Sequence, residues 1–275
     1  MTTAPTSVTH EPAKAPAPAK VAAPRARRAG PTTLSIDVGG TGLKASVLDT
    51  AGNYLHDRVR VDTPHPCTPQ MIVDELVKLV APLPKYDRVS VGFPGMIRAG
   101  KILSAANMAH AQLSDPEPDP ELVKAWHNFD MGAALNLALK KPVRVANDAD
   151  MQGAAVIKGV GLELVVTLGT GFGTAIFING HIAPHLEIAH SEFRHGETFD
   201  EQLGDVTRKK IGKKRWSKRV ALALERLDAL MFYDHVFIGG GNSQRVSIDL
   251  GPKATIVDNS AGILGGIRLW DHDIV

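Results

Sequence analysis

The sequence predicts an α/β protein of two lobes facing each other across a central cleft, and three observations carry that expectation. Leu34-Ser35-Ile36-Asp37-Val38 runs as an apolar strand into the turn Gly39-Gly40-Thr41-Gly42, and Leu43 to Leu48 returns as a second strand. About 130 residues later the pattern recurs as Leu164 to Leu168, the turn Gly169-Thr170-Gly171-Phe172-Gly173, and Thr174 to Ile178. Between and after these hairpins, strand patterns alternate with helical periodicity, as in layered α/β folds. A chain of 275 residues with 44% hydrophobic content can bury one large core or two modest ones. The expected division is a basic Ala/Pro-rich tail over 1–31, a lobe over 32–147 and a second over 148–275, whose last helix can pack back on the first lobe.

Composition narrows the function classes. No apolar run reaches the roughly 20 residues that span a bilayer, and the first residues lack a continuous apolar signal segment, so a soluble cytoplasmic protein with no membrane partner is expected. Cys67 is the one cysteine; this excludes an intrachain disulfide and a thiolate metal cluster, and a structural role is expected for it. A net charge of +2 does not by itself point to a polyanion. The tail, rich in Ala, Pro, Lys and Arg, cannot offset the entropy of ordering and is expected to be disordered. Its Arg25-Ala26-Arg27-Arg28 can touch nucleic acid or polyphosphate or stay solvated, and it carries no helix-turn-helix pattern.

In the first hairpin, glycines allow backbone N–H groups to approach a phosphate closely, while Thr41 and Lys44 add a hydroxyl and a charge. An ordinary hairpin has the same outline. Asp37 would repel phosphate directly, so it suits a metal-side or water-mediated role. Asn53 to Val61 reads as a third antiparallel strand. Thr63-Pro64-His65-Pro66-Cys67-Thr68-Pro69 ends it, with Thr68 as N-cap and Pro69 opening a helix whose apolar face is Ile72, Val73, Leu76, Val77, Leu79 and Val80. Arg88 to Gly92 returns as a buried strand and delivers Gly95 and then Asn107 to strand ends, where ligands collect in open α/β sheets. A helix is predicted over Glu121 to Leu139. The strand Pro142 to Ala146 then ends in Asn147-Asp148, an amide and a carboxylate at a strand-to-helix junction. Asp148 there is a general-base candidate or a helix cap, and the two roles can coexist.

In the second half, Glu187, His190, Glu192 and Glu201 suit hydrogen bonding to sugar hydroxyls. The alternative is a metal site using His185, His190 and His195 with carboxylates. Eight of the twelve residues from Arg208 to Arg219 are cationic, a density that favours a polyanion. Only Trp216 interrupts them as an aromatic, fewer than single-strand nucleic-acid binders use, whereas a linear inorganic polyanion needs no stacking platform. A helix from Trp216 to Met231 and a strand from His235 lead to Gly239-Gly240-Gly241, a third glycine turn suited to phosphate or nucleotide. A C-terminal helix is predicted over Ala261 to Leu269.

Taken in order, these motifs resemble the ROK (repressor, ORF, kinase) sugar kinases from about Thr33 to Leu269. Asp37 to Lys44 looks like that family's first phosphate motif, Leu168 to Gly173 like its second, and Ile238 to Gly241 like its nucleotide-side motif. The resemblance implies the two-lobed actin-like (ribonuclease H-like) sugar kinase fold, with Asp148 as base and Asn147 and Asn107 on sugar hydroxyls. Glu187 and His190 match the family's Glu-x-Gly-His, with Ala189 in place of its glycine, and Glu201 is preferred over Glu192 as a later sugar-binding glutamate. The family's cysteine-rich zinc motif is missing, as in the members that use polyphosphate. The implied reaction is phosphoryl transfer from inorganic polyphosphate, with ATP open as a further donor, to the 6-hydroxyl of glucose with Mg²⁺. The phosphate side would be Asp37, Gly39, Gly40, Thr41, Gly42, Lys44, Thr170, Gly171 and Gly173. The distal side would be Gly239, Gly240, Gly241, Lys209, Lys210, Lys213, Lys214 and Arg215, and Gly95 would join the glucose side. A homodimer is expected by analogy, and no specific nucleic acid. The family's repressors carry a helical DNA-binding domain, which the tail cannot form.

Overall fold

Two five-stranded sheets organise the described residues, with a two-stranded and a three-stranded sheet beside them. In the computed structural model, which describes residues 30–112, 114–115, 117–257 and 261–271, without side chains at 106, 107 and 261–263, β1 (Thr33–Val38) and β2 (Leu43–Leu48) form the expected antiparallel hairpin, with Asp37 opposite Lys44. The expectations for the tail over 1–29 lie outside the described residues. The third strand shrinks to β3 (Val59–Val61), because Asp49 accepts from the Ala51 and Asn53 amides and folds that stretch back as a turn. Thr68 caps α1 (Pro69–Val80) by accepting from the Met71 amide, and Ile72, Val73, Leu76, Leu79 and Val80 bury its apolar face. β4 (Arg88–Phe93) then pairs parallel with β1.

The single helix predicted over Glu121 to Leu139 is broken. After the small strands β5 (Ile97–Arg98) and β6 (Lys101–Ile102), α2 (Pro120–Trp126) stops, β7 (Phe129–Asp130) joins β6, and α3 (Met131–Leu139) begins with Asp130 as cap. The break follows from Trp126, fully buried against Phe93 and Phe129, with its Nε1 donating to the Cys67 carbonyl at 2.8 Å. Asn128 turns the chain in the left-handed region at φ 63°. Cys67 itself is buried, and burial pushes its thiol up to about 12, as befits a structural cysteine. β8 (Val143–Asn147) adds to β4 in parallel and runs into α4 (Asp148–Ala154).

The second half repeats this plan. β9 (Leu162–Leu168), β10 (Phe172–Ile178) and β11 (His181–Ile182) form a meander, and after β12 (Glu192–Arg194), β13 (Glu197–Thr198), α5 (Phe199–Leu203), α6 (Asp205–Ile211) and α7 (Lys213–Met231), β14 (His235–Gly239) lies parallel to β9 and β15 (Ala254–Ile256) parallel to β14. The sheet orders β3-β2-β1-β4-β8 and β11-β10-β9-β14-β15 are therefore equivalent. Each sheet has its own apolar core, one around Leu34, Leu76 and Trp126 and one around Leu164, Trp216 and Leu227. A third cluster, with Met151, Phe177 and Phe237, joins the two sheets beneath α4. α8 (Ala261–Arg268) follows the second sheet in sequence but packs on α4 and β1, where Gly265 lies so close to the Met151 carbonyl that no Cβ fits, and Ser90 Oγ donates to the Gly266 carbonyl at 2.5 Å.

Candidate active site

The register of the first sheet sets one acidic corner. β4 places Gly92 between Asp37 of β1 and Ala146 of β8, and Phe93 beside Asn147. Asn147 closes β8 with one bond from each end of its amide: Oδ1 accepts from the Ala149 amide at 2.7 Å, and Nδ2 donates to the Gly95 carbonyl at 3.0 Å. Gly95 holds φ 148° against the Ser104 carbonyl, a position with no space for a Cβ. Because Asn147 is the N-cap of α4, Asp148 is released from that duty and opens the helix as its first residue. Burial, followed by the nearby Asp37 carboxylate, pushes the Asp148 carboxyl up to about 7.

Asp148 faces a cavity of about 460 Å³ between the two sheets. Its opposite wall is the second glycine turn, where Gly169, Thr170, Gly171 and Gly173 line the space together with Gly240 and Gly241 after β14. That turn is braced from outside: Asn242 Nδ2 donates to the Gly169 carbonyl at 2.9 Å, and the Asp205 amide to the Thr170 carbonyl at 3.0 Å. Gly95, Asn147, Glu187 and His190 also line the cavity. Glu187 Oε1 accepts from His185 Nε2 at 3.1 Å, and this hydrogen bond, more than the opposing burial, holds the Glu187 carboxyl below its usual range.

Not every expected residue reaches this cavity. Glu201 does not: it forms a capping box with Thr198 at the start of α5, its carboxylate accepting from the Thr198 amide at 2.7 Å. Glu192 is exposed and accepts from the Gly196 amide, so neither glutamate faces Asp148. The pocket carboxylate in that region is Asp200, whose Oδ1 accepts from the Phe172 amide at 2.7 Å. Thr198-Phe199-Asp200-Glu201 has the spacing of a capping box, so the sequence held the signal that Glu201 was occupied. The Asn107 side chain lies outside the described residues; its backbone sits in a 3₁₀ turn over Ala106–Ala109. Gly239 ends β14 without lining the cavity.

The first hairpin turn stands outside the cavity lining and is clasped on its outer side. Thr63 Oγ1 donates to the Gly39 carbonyl at 2.5 Å, His65 Nε2 to the Gly40 carbonyl at 2.9 Å, and Arg60 to the Thr41 carbonyl at 3.3 Å. Gly42 packs against the Arg60 guanidinium. The Lys44 ammonium is committed to Asp37 at 2.9 Å. The segment from Thr63 to Pro69 is thus a brace for the first glycine turn.

The cationic run is divided by the end of α6. Asp205 takes Arg208 at 2.6 Å and Lys209 at 2.7 Å, and these partners, Lys209 first, hold its carboxyl far below the usual range. Lys213, Lys214, Arg215 and Lys218 instead line a separate open cavity of about 490 Å³ at the start of α7, which begins three residues earlier than the periodicity suggests. Lys210 is exposed near the end of α6. Trp216 is a core residue, buried with its Nε1 donating to the Leu203 carbonyl at 2.7 Å, and offers no stacking surface. His185, His190 and His195 do not converge: His195 pairs with Arg194 on the exposed β12–β13 turn, and among the described residues no three His, Cys, Asp or Glu side chains gather as metal ligands.

Comparison with known proteins adds to this geometry. The family model for the ROK family matches residues 33–202. The polyphosphate glucokinase of Mycobacterium tuberculosis (strain CDC 1551 / Oshkosh) is 28% identical over 247 residues, 84% of this chain and 88% of its own length. That of Mycobacterium leprae (strain TN) is 27% identical over 256 residues, covering 88% of this chain and 75% of its own. Among solved structures, the inorganic polyphosphate/ATP-glucomannokinase of Arthrobacter sp. strain KM superposes with a TM-score of 0.73 at 30% identity, over 88% of this chain and 100% of that one. With two equivalent sheets, paired glycine turns and an Asn-Asp junction between them, the chain belongs to the ROK family.

Proposed function

We propose that the protein is a glucokinase that transfers the terminal phosphoryl group of inorganic polyphosphate to the 6-hydroxyl of glucose. The single observation that carries this reading is Asp148, a carboxyl raised to about 7 and facing a cavity walled by a braced glycine turn. A carboxylate poised near neutrality suits proton transfer from a hydroxyl. As the 6-oxygen attacks phosphorus, its proton passes to Asp148, the bond from phosphorus to the bridging oxygen breaks, and a polyphosphate one unit shorter leaves. Amides of the Gly169–Gly173 and Gly240–Gly241 turns would hold the phosphate oxygens, with Thr41 and its neighbouring amides approaching from the other hairpin. Glu187, His190 and Asn147 would hold sugar hydroxyls.

A magnesium ion fits the residues present. Asp37 offers a partly exposed carboxylate at the end of β1, its Oδ2 shared with Lys44 and close enough to Asp148 for its charge to be felt there, and Mg²⁺ takes one or two carboxylates along with water and phosphate oxygens. The ion would neutralise charge on the phosphate oxygens. Lys213, Lys214, Arg215 and Lys218 would supply a second positive surface for distal units of a long donor. Among the described residues no helix is long and apolar enough to cross a membrane.

The decisive experiment supplies glucose with long-chain polyphosphate or with ATP as sole donor in a coupled assay for glucose 6-phosphate. Turnover with polyphosphate is expected. Turnover with ATP alone would make the chain an ATP-dependent hexose kinase, and turnover with neither would reject the reading.

A further inference from the structure

His185 lies where two cavities meet. It lines the acceptor cavity and also a cavity of about 460 Å³ behind it, whose walls include Arg98, Asp130 and Arg144. Its side chain is 5% exposed and stands between two carboxylates: Nδ1 is 3.1 Å from Asp150 Oδ1, and Nε2 is 3.1 Å from Glu187 Oε1. Carboxylates only accept, so both ring nitrogens must carry hydrogen for both contacts to be made. The three groups come from different places. Asp150 rises from α4, Glu187 from the turn before β12, and Arg98 of β5 donates to the His185 carbonyl at 2.8 Å.

We propose that His185 is a positioning residue for the acceptor: as an imidazolium clamped by Asp150, it fixes the rotamer and the negative charge of Glu187 and ties that carboxylate to both sides of the cleft. The proposal rests on the reading of this cavity as the sugar site. Glu187 is the member with a free side: 26% of its side chain is exposed, against 6% for Asp150, and it lines the cavity that Asp148 faces. A long glutamate held at one oxygen keeps the other for a hydroxyl, whereas an unheld one must lose side-chain entropy when the ligand binds. The groups facing His185 and its partners support the charge assignment. Burial opposes charge on the ring, but the hydrogen bonds to Asp150 and Glu187 override it and carry His185 up to about 9. Burial, with the Glu187 charge adding to it, leaves the Asp150 carboxyl raised, and His185 and Arg98 oppose that rise. His190 Nδ1, 3.9 Å from Glu187, and the Asp148 carboxyl complete the charged surroundings.

The test compares His185→Asn and Asp150→Asn with the unsubstituted protein. Three quantities are read: the KM values for glucose and for polyphosphate, calorimetric binding of glucose alone, and the nitrogen NMR signals of the His185 ring. His185→Asn should weaken glucose by about tenfold or more, the scale of a lost charge-assisted hydrogen bond, with the polyphosphate KM unchanged. The alkaline loss of glucose affinity near pH 9 should vanish in His185→Asn and move to lower pH in Asp150→Asn, where one of the two proton-holding partners is gone. In the unsubstituted protein both ring nitrogens should be protonated at pH 7.5. A neutral ring at that pH overturns the proposal without any variant having to fold. Equal rises in both KM values, or unchanged glucose affinity, overturn it as well. Failure of the sugar-site reading appears separately, as absence of glucose binding by the unsubstituted protein.

Discussion

At the scale of single residues, the proposed chemistry rests on Asp148. Replacing it by Asn removes the base and should lower kcat by about 10² to 10⁴-fold while leaving calorimetric glucose binding intact. The same substitution should stabilise the fold at pH 8. A carboxyl raised from 3.8 to about 7 favours the native state while it is protonated, and that advantage is lost as pH rises through 7, where the native protein must hold a buried charge that the unfolded chain holds in water. Scanning calorimetry at pH 8 should show Asp148→Asn melting a few degrees higher, with the difference shrinking towards pH 5. Because Asp37 raises Asp148, Asp37→Asn should move the acid limb of the pH–rate profile below 7, and an unmoved limb would mean that burial alone sets it. Asn147 and Asp148 stood out as an amide and a carboxylate at a strand end, and Glu187 as part of a carboxylate–histidine cluster. Asp150 and His185 were not, since each is an ordinary polar residue until burial makes it the other's partner.

At the scale of elements, Glu201 shows how local grammar outranks a motif. Its carboxylate satisfies the Thr198 amide and hydroxyl, so Glu201→Gln should leave the glucose KM unchanged, and Thr198→Ala should cost roughly 1 kcal/mol in denaturant melts through loss of the cap on α5. The sequence carried that capping box in plain view. The division of Glu121 to Leu139 into α2, β7 and α3 was hidden, because it depends on the distant Phe93 and Cys67 receiving Trp126. The cationic run is another element whose meaning splits on folding. Alanine at Lys213, Lys214 and Arg215 together should raise the KM for long polyphosphate several-fold at low salt and far less at high salt, because unpaired surface cations act through a screened field. Substituting Arg208 or Lys209, already held by Asp205, should do less.

At the scale of the whole molecule, α4 and α8 are the shared part of two repeated sheets. Gly265→Ala forces a methyl against the Met151 carbonyl at their crossing and should destabilise the protein by about 1–3 kcal/mol in equilibrium melts, with activity lost in step because Asp148 begins α4. The sequence by itself determined the two hairpins, the glycine turns, the strand-to-helix junction at Asn147-Asp148 and the repetition that makes two equivalent sheets. Those features depend on neighbours a few residues apart, where hydrophobic period and turn chemistry act directly. Only the tertiary structure decided which turn lines the cavity with Asp148, that Thr63 and His65 brace the other turn, that Asp200 and not Glu201 lines that cavity, and that α8 returns to β1. These depend on contacts between residues far apart in the chain, and on burial, which sets both the charge of a carboxyl and the partners left to hold it.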